Sequence, residues 1–204
     1  MHAVRSVIPG TQGRILAVLA ETTAELNLRT IARLADVSPS QASRVLPELV
    51  RLGMVERREA PPSALFRLVD ENLASKLVQS LSRVRDSTVN ELSRQAKEMI
   101  PSATSVIVFG SFARGEAVAE SDLDVVVVRP SGVAEDDDVW ATALENWRRY
   151  AARMTGNRVE VIEVDVDSVG QLLRGRKPLW SDVNREGMVI TGASLERLRG
   201  RRSD

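Results

Sequence analysis

Apolar residues recur three and four positions apart in some stretches of the chain and alternate in others, and the change of period divides it. Ile15, Leu16, Val18 and Leu19 form the apolar side of a helix, with Thr11 in the place of its cap. A second short helix covers 28–35, with Ile31 and Leu34 at core spacing. Pro39 suits the first position of a third helix and Ser38 its N-cap. On that helix Val45, Leu46, Leu49 and Leu52 point inward, Ser40, Gln41, Ser43 and Arg44 point outward, and Gly53 ends it. Residues 54–57 and 65–68 then alternate like paired strands around Ala60-Pro61-Pro62-Ser63.

Beyond residue 70 the helical period returns. Leu73, Leu77, Leu81, Val84, Leu92 and Met99 share a side, and neither glycine nor proline intervenes before Pro101. This predicts one long connecting helix over 71–100. Its stripe lapses at Ser87 and Thr88 and lacks clean heptads, which favours packing on the chain's own domains. A homodimer seam is the alternative. The remainder alternates strand and helix: strands over 105–109 and 123–128, an acidic loop ending at 135–138, a helix over 139–154, a strand over 158–165 and a last apolar segment over 188–190. Trp140 and Trp147 read as core, Asp165 and Asp167 as strand-end or capping residues, and the arginine-rich tail over 197–202 as a frayed end that weakly attracts nucleic acid. The expected organisation is an all-α domain with a wing over 1–70, the connecting helix over 71–100, and an α/β (α+β) domain over 101–204.

Composition narrows the chemistry. Twenty-eight Lys and Arg balance 28 Asp and Glu, so a uniformly basic nucleic-acid binder is excluded while a local basic face is not. With no cysteine, disulfides and thiol nucleophiles are out. The single histidine, His2, excludes histidine-based triads and metal clusters. No apolar run approaches the ~20 residues of a membrane span, and the first ten residues lack the apolar core of a signal peptide. A soluble cytoplasmic protein is expected, with any catalysis resting on carboxylates, hydroxyls and arginines.

Such groups gather in one stretch. Gly110-Ser111 leaves a buried strand and enters a helix, where a glycine lets backbone amides approach a phosphate. Ser111 can cap that helix and hold phosphate at once. Asp122 and Asp124, two apart, share one face of a strand and repel each other unless a cation compensates. Such hard oxygen ligands suit Mg²⁺. A third carboxylate between apolar neighbours is offered by Glu160, with Glu163 as its rival on the opposite strand face.

The run Val108-Phe109-Gly110-Ser111-Phe112-Ala113-Arg114-Gly115-Glu116, followed by Ser121-Asp122-Leu123-Asp124, resembles the nucleotidyltransferase superfamily of DNA polymerase β. Within it, the chain is similar to the minimal nucleotidyltransferases of prokaryotes, whose signature is Gly-Ser, ten residues, then Asp-x-Asp. The resemblance implies a nucleotidyltransferase fold with a mixed sheet. Asp122 and Asp124 would hold two Mg²⁺ ions, and Glu160 would join them and activate the incoming hydroxyl. Gly110 and Ser111 would seat the phosphates of a nucleoside triphosphate, Arg114 would touch phosphate, and Ser121 would orient Asp122. It implies transfer of a nucleoside monophosphate, from ATP foremost, to a hydroxyl on a protein, an RNA end or a small molecule. Similar enzymes occur in toxin–antitoxin pairs, which makes a HEPN-type toxin one candidate partner.

The segment over 30–46 resembles a winged helix-turn-helix domain of bacterial regulators. On that resemblance Ser40, Gln41, Ser43 and Arg44 would face DNA bases and phosphates, and Arg57 and Arg58 of the wing would meet the backbone. Docking of protein or RNA is the alternative. A second reading of the whole chain is a DNA-binding regulator or antitoxin that uses the transferase fold as a nucleotide sensor.

Overall fold

Ser38 and Gln41 cap one another: Ser38 Oγ accepts from the Gln41 amide at 3.1 Å, and Gln41 Oε1 accepts from the Ser38 amide at 2.9 Å. This capping box starts the third predicted helix at Pro39. The computed structural model describes residues 3–116, 121–175 and 177–199. His2 and the tail beyond residue 199 lie outside them. The chain divides between Arg85 and Asp86 into two units.

The first unit contains helices α1 (Ala3–Val7), α2 (Gly10–Ala20), α3 (Leu28–Leu34), α4 (Pro39–Arg51) and α5 (Leu73–Ser82). Its strands are β1 (Leu26–Asn27), β2 (Val55–Ala60) and β3 (Ser63–Leu68), paired antiparallel in the order β1-β3-β2. The wing is thus the β2–β3 hairpin, turning at Pro61 and Pro62. The two-residue β1 was not anticipated; a strand so short carries no readable alternation. Ile15, Leu16, Leu19, Ile31, Leu46 and Leu49 form the centre of the core.

Several expectations are corrected. Thr11 lies inside α2, whose N-cap is Pro9. Leu34 and Leu52 are 46% and 58% exposed. Leu34 ends α3 while Ile31 and Ala32 take the core side, and Leu52 falls past the last turn of α4, whose buried residues are Ala42, Leu46 and Leu49. The predicted single helix over 71–100 is two helices. α5 stops at Ser82, and α6 (Val84–Met99) begins after Arg83. At the break Ser82 Oγ donates back to the Gln79 carbonyl at 2.8 Å. Each half then buries its side chains in its own unit, Val78 in the first and Leu92 and Ala96 in the second.

The second unit is built on a mixed four-stranded sheet. Its strands are β4 (Ser105–Phe109), β5 (Leu123–Arg129), β6 (Val159–Asp165) and β7 (Met188–Gly192), in the order β6-β5-β4-β7. β5 runs parallel to β6, and β4 runs antiparallel to β5 and β7. α7 (Gly110–Arg114) leaves β4 directly, and α8 (Asp138–Thr155) connects β5 to β6. α9 (Val169–Arg174), α10 (Pro178–Glu186) and α11 (Leu195–Arg199) complete the unit.

Both sheet faces are covered, which explains the near-continuous β-branched run of β5. Val125 and Val127 pack with Trp140, Leu144 and Trp147 of α8, while Val126 and Val128 pack with Val169, Trp180 and Val183. Arg197 is not part of a frayed end: it belongs to α11, anchored by buried Leu195 and Leu198.

Candidate functional site

Strand register assembles the site. Asp124, on β5, is the partner of Phe109 on one side and of Glu160 on the other. Phe109 is the last residue of β4, so the Gly110-Ser111 turn and Glu160 flank the same aspartate. Asp122 stands two residues before Asp124, exposed at the mouth of β5. Gly110 adopts φ +69°, and a Cβ added there would lie 2.4 Å from Asp124 Oδ2. Only glycine lets the turn lie this close to the carboxylate.

The charges of the three acids are felt. Burial, then the neighbouring charges of Asp122 and Glu160, push the Asp124 carboxyl above its usual range, and Arg114 partly offsets this. Such a donor set, oxygen-only and mutually repelling, has the chemistry of a divalent-cation site. As they lie, no three acidic or histidine side chains among the described residues are grouped closely enough to hold one ion. Arg158 draws the Glu160 carboxylate into an ion pair. Glu163 is elsewhere: it pairs with buried Arg129 and accepts from Trp140 Nε1 at 2.9 Å, on the face covered by α8. Of the two rivals, Glu160 is the one brought beside the aspartates.

Arg114 ends α7 and is doubly held, donating to Glu116 and to Glu186. Both carboxylates push its guanidinium pKa up. Ser121 offers its carbonyl to Asn157 Nδ2 at 2.7 Å, and the Leu123 amide donates to the Arg158 carbonyl at 2.8 Å. The turn after α8 thereby ties down the backbone that carries Asp122. Glu116, Glu186 and Asn157 escaped the sequence reading. Glu116 lies beside the Gly110-Ser111 turn in sequence and Glu186 in the 179–190 segment that also resembles the family, but the sequence assigns neither a role. Asn157 is brought in by tertiary packing. Asp165 does cap the turn beyond β6, accepting from the Asp167 amide at 2.7 Å.

In the first unit Ser40, Ser43 and Arg44 are exposed along α4, whereas Gln41 spends its side-chain oxygen on the capping box. The wing arginines are already paired, Arg57 with Glu59 at 2.8 Å and Arg58 with Glu25 at 2.9 Å.

Residues 89–180 match the family model of the nucleotidyltransferase domain, and residues 13–59 match that of the IclR helix-turn-helix domain. The chain therefore joins a winged helix-turn-helix domain to a nucleotidyltransferase domain. Among curated relatives, a bifunctional uridylyltransferase/uridylyl-removing enzyme of Burkholderia pseudomallei (strain K96243) is 27% identical over 135 residues. That alignment covers 62% of this chain and only 15% of the relative's length. Similar solved structures include a toxin–antitoxin with AMP-PNP, at 19% identity and TM-score 0.38, covering 54% of this chain and 80% of that one. A homodimeric winged helix-turn-helix DNA-binding domain from Mycobacterium bovis is 23% identical with TM-score 0.34, covering 44% of this chain and 81% of its own. Among the described residues no helix is long and apolar enough to cross a membrane.

Proposed function

We propose that the second unit is a Mg²⁺-dependent nucleotidyltransferase, and that the winged-helix unit brings it to DNA. It would move a nucleoside monophosphate from a nucleoside triphosphate, ATP foremost, onto an acceptor hydroxyl. The observation that carries this reading is Asp124, held between Glu160 and the Gly110-Ser111 turn with its carboxyl pKa raised by burial and by Asp122 and Glu160.

Asp122, Asp124 and Glu160 would hold the magnesium, which when bound offsets the charge of the triphosphate and eases ionisation of the hydroxyl. The Gly110-Ser111 turn presents backbone amides with no side chain in the way, and Arg114 supplies a cation beside them. Glu160, at the sheet edge with its side chain partly exposed, would take the acceptor's proton on release from Arg158. The bond from the acceptor oxygen to the α-phosphorus forms as the bond to pyrophosphate breaks. A protein side chain, an RNA end or a small alcohol would each present such a hydroxyl, and a HEPN-type toxin is one protein candidate.

The test is incubation of the chain with each α-labelled nucleoside triphosphate, Mg²⁺ and a cell lysate. Label should pass to an acceptor with the unaltered chain and not with Asp124→Asn. No transfer from any of the four nucleotides would overturn the reading.

A further inference from the structure

The first unit holds a cavity that the transferase chemistry does not use. A groove of about 970 Å³ opens between α4, the start of α3 and the wing. Its apolar lining includes Leu46, Pro47 and Val50 of α4 and Phe66 of β3, and Asn27, Thr30, Ser43 and Ser63 add polar groups. Its charged residues are Arg29 and Arg57, and among the described residues no acidic one lines it. Arg57 is paired with Glu59, which leaves Arg29 as the cation open to a ligand. Arg29 is exposed, and its side chain makes no ion pair among the described residues.

A lining of mixed apolar and polar side chains with a cation among them suits a small amphipathic molecule, and the volume lies at the upper end of the ~300–1,000 Å³ such sites span. A phosphodiester strand laid along this groove would meet Arg29 and leave the apolar side chains of α4 and β3 in contact with water. A molecule with a flat apolar body and one anionic group covers both. We infer that this groove binds a small amphipathic organic anion, with its carboxylate, sulfonate or phosphate on Arg29 and its apolar body along the α4 and β3 side chains, beside the Arg57–Glu59 pair.

The consequence reaches beyond binding. Ser43 and Arg57 line the groove and also belong to the surface read above as facing DNA. Anion and duplex therefore compete, and the ligand acts as a releasing signal for the winged-helix unit.

The probe for this is 1-anilinonaphthalene-8-sulfonate, titrated into the full chain by fluorescence, with uncharged N-phenyl-1-naphthylamine as its partner. Saturable binding at one site per chain is expected, about tenfold tighter for the sulfonate than for the neutral probe. Arg29→Glu, at an exposed position, should weaken the sulfonate about tenfold with unchanged thermal unfolding. Val50→Trp should fill the groove and abolish binding of both probes. The sulfonate should also displace a fluorescein-labelled duplex. Binding that is unsaturable, or indifferent to Arg29→Glu and to the sulfonate, would overturn the site, and duplex and probe bound together would overturn the competition. Duplex binding by the ligand-free chain, measured alongside, separates failure of the groove from failure of the DNA-binding reading.

Discussion

Arg114 reaches from the end of α7 to the last residue of α10, its Nη1 donating to Glu186 Oε2 at 2.9 Å while Nε donates to Glu116 Oε2 at 2.7 Å. The position of Glu186 is itself set by packing. A Cβ on the next residue, Gly187, would lie 2.2 Å from the Val183 carbonyl oxygen and 2.8 Å from Ile107 of β4. The close turn at Gly187 thus fixes Glu186, and Glu186 holds the guanidinium where its charge reaches Asp124. Arg114→Ala should raise the KM for nucleotide by about ten- to hundredfold, the scale of a lost charge-assisted hydrogen bond. Thermal unfolding should barely change, since the ion pair is solvent-accessible. Glu186→Gln should also raise KM, but add nothing in the Arg114→Ala background. An equal effect in both backgrounds would show that Glu186 acts without Arg114.

Asp124 makes a second, opposite pair of predictions. Its carboxyl binds its proton more tightly in the folded chain than in the unfolded one, so its ionisation opposes folding. The sign follows: without Mg²⁺, stability falls as pH rises from the ordinary carboxylate range through the raised value. Asp124→Asn should therefore raise the unfolding temperature of the metal-free protein at neutral pH. The same substitution should cut nucleotidyl transfer on the order of a thousandfold or more, as loss of a metal ligand implies. Added Mg²⁺ should stabilise the unaltered chain and leave the variant unmoved. A variant less stable than the parent in EDTA would contradict the electrostatic account.

Gly110→Ala tests the closeness of turn and carboxylate. The left-handed backbone there costs a residue with a Cβ about 1–2 kcal/mol, and the new methyl would collide with Asp124 Oδ2. The fold should persist, with circular dichroism unchanged, while transfer is lost. Wild-type activity in this variant would mean that the turn does not approach the substrate.

Local signals made most of this site legible. Gly110-Ser111 and Asp122-x-Asp124 lie in one short stretch, and their strands are apolar runs whose burial on both faces the sequence itself announces. Glu160 and Glu163 were separable only as opposite faces of one strand. What chose between them was register, Asp124 against Glu160 and Val127 against Glu163, which depends on which strands pair. The contacts made from afar by Glu186 and Asn157 depend on tertiary packing that no local spacing records. The break at Arg83 was hidden for a related reason. No glycine or proline records it; Val78 before the break and Leu92 and Ala96 after it belong to two separate cores, while Leu73 and Leu77 of the predicted stripe are exposed.

Acid should expose a further tie within the second unit. Tyr150 of α8 donates to Glu91 Oε1 of α6 at 2.6 Å, and with Arg94 as the main cause it holds the Glu91 carboxyl down from 4.5 to about 2. A depressed carboxylate contributes stability above its ordinary range and loses it as pH falls through the folded value. Glu91→Gln should thus lower the unfolding temperature at neutral pH, and the difference should close between about 4.5 and about 2. A gap that persists unchanged into that window would assign Glu91 a packing role instead.

The wing sets the terms for DNA. Arg58 is held by Glu25 through two guanidinium nitrogens, so a phosphate must compete with a carboxylate that it also repels. Among the described residues Arg44 faces no such rival, its Nε resting 3.4 Å from the Ser40 carbonyl. Arg44→Ala should accordingly weaken duplex binding and reduce the slope of log affinity against log salt by about one. Glu25→Gln should do the reverse, tightening binding several-fold and steepening that slope, because it frees one cation and removes one anion from the same surface. Fluorescence anisotropy across a salt series reads both variants together. Unchanged affinity in Glu25→Gln would place Arg58 outside the interface and leave α4 to carry the contact without the wing.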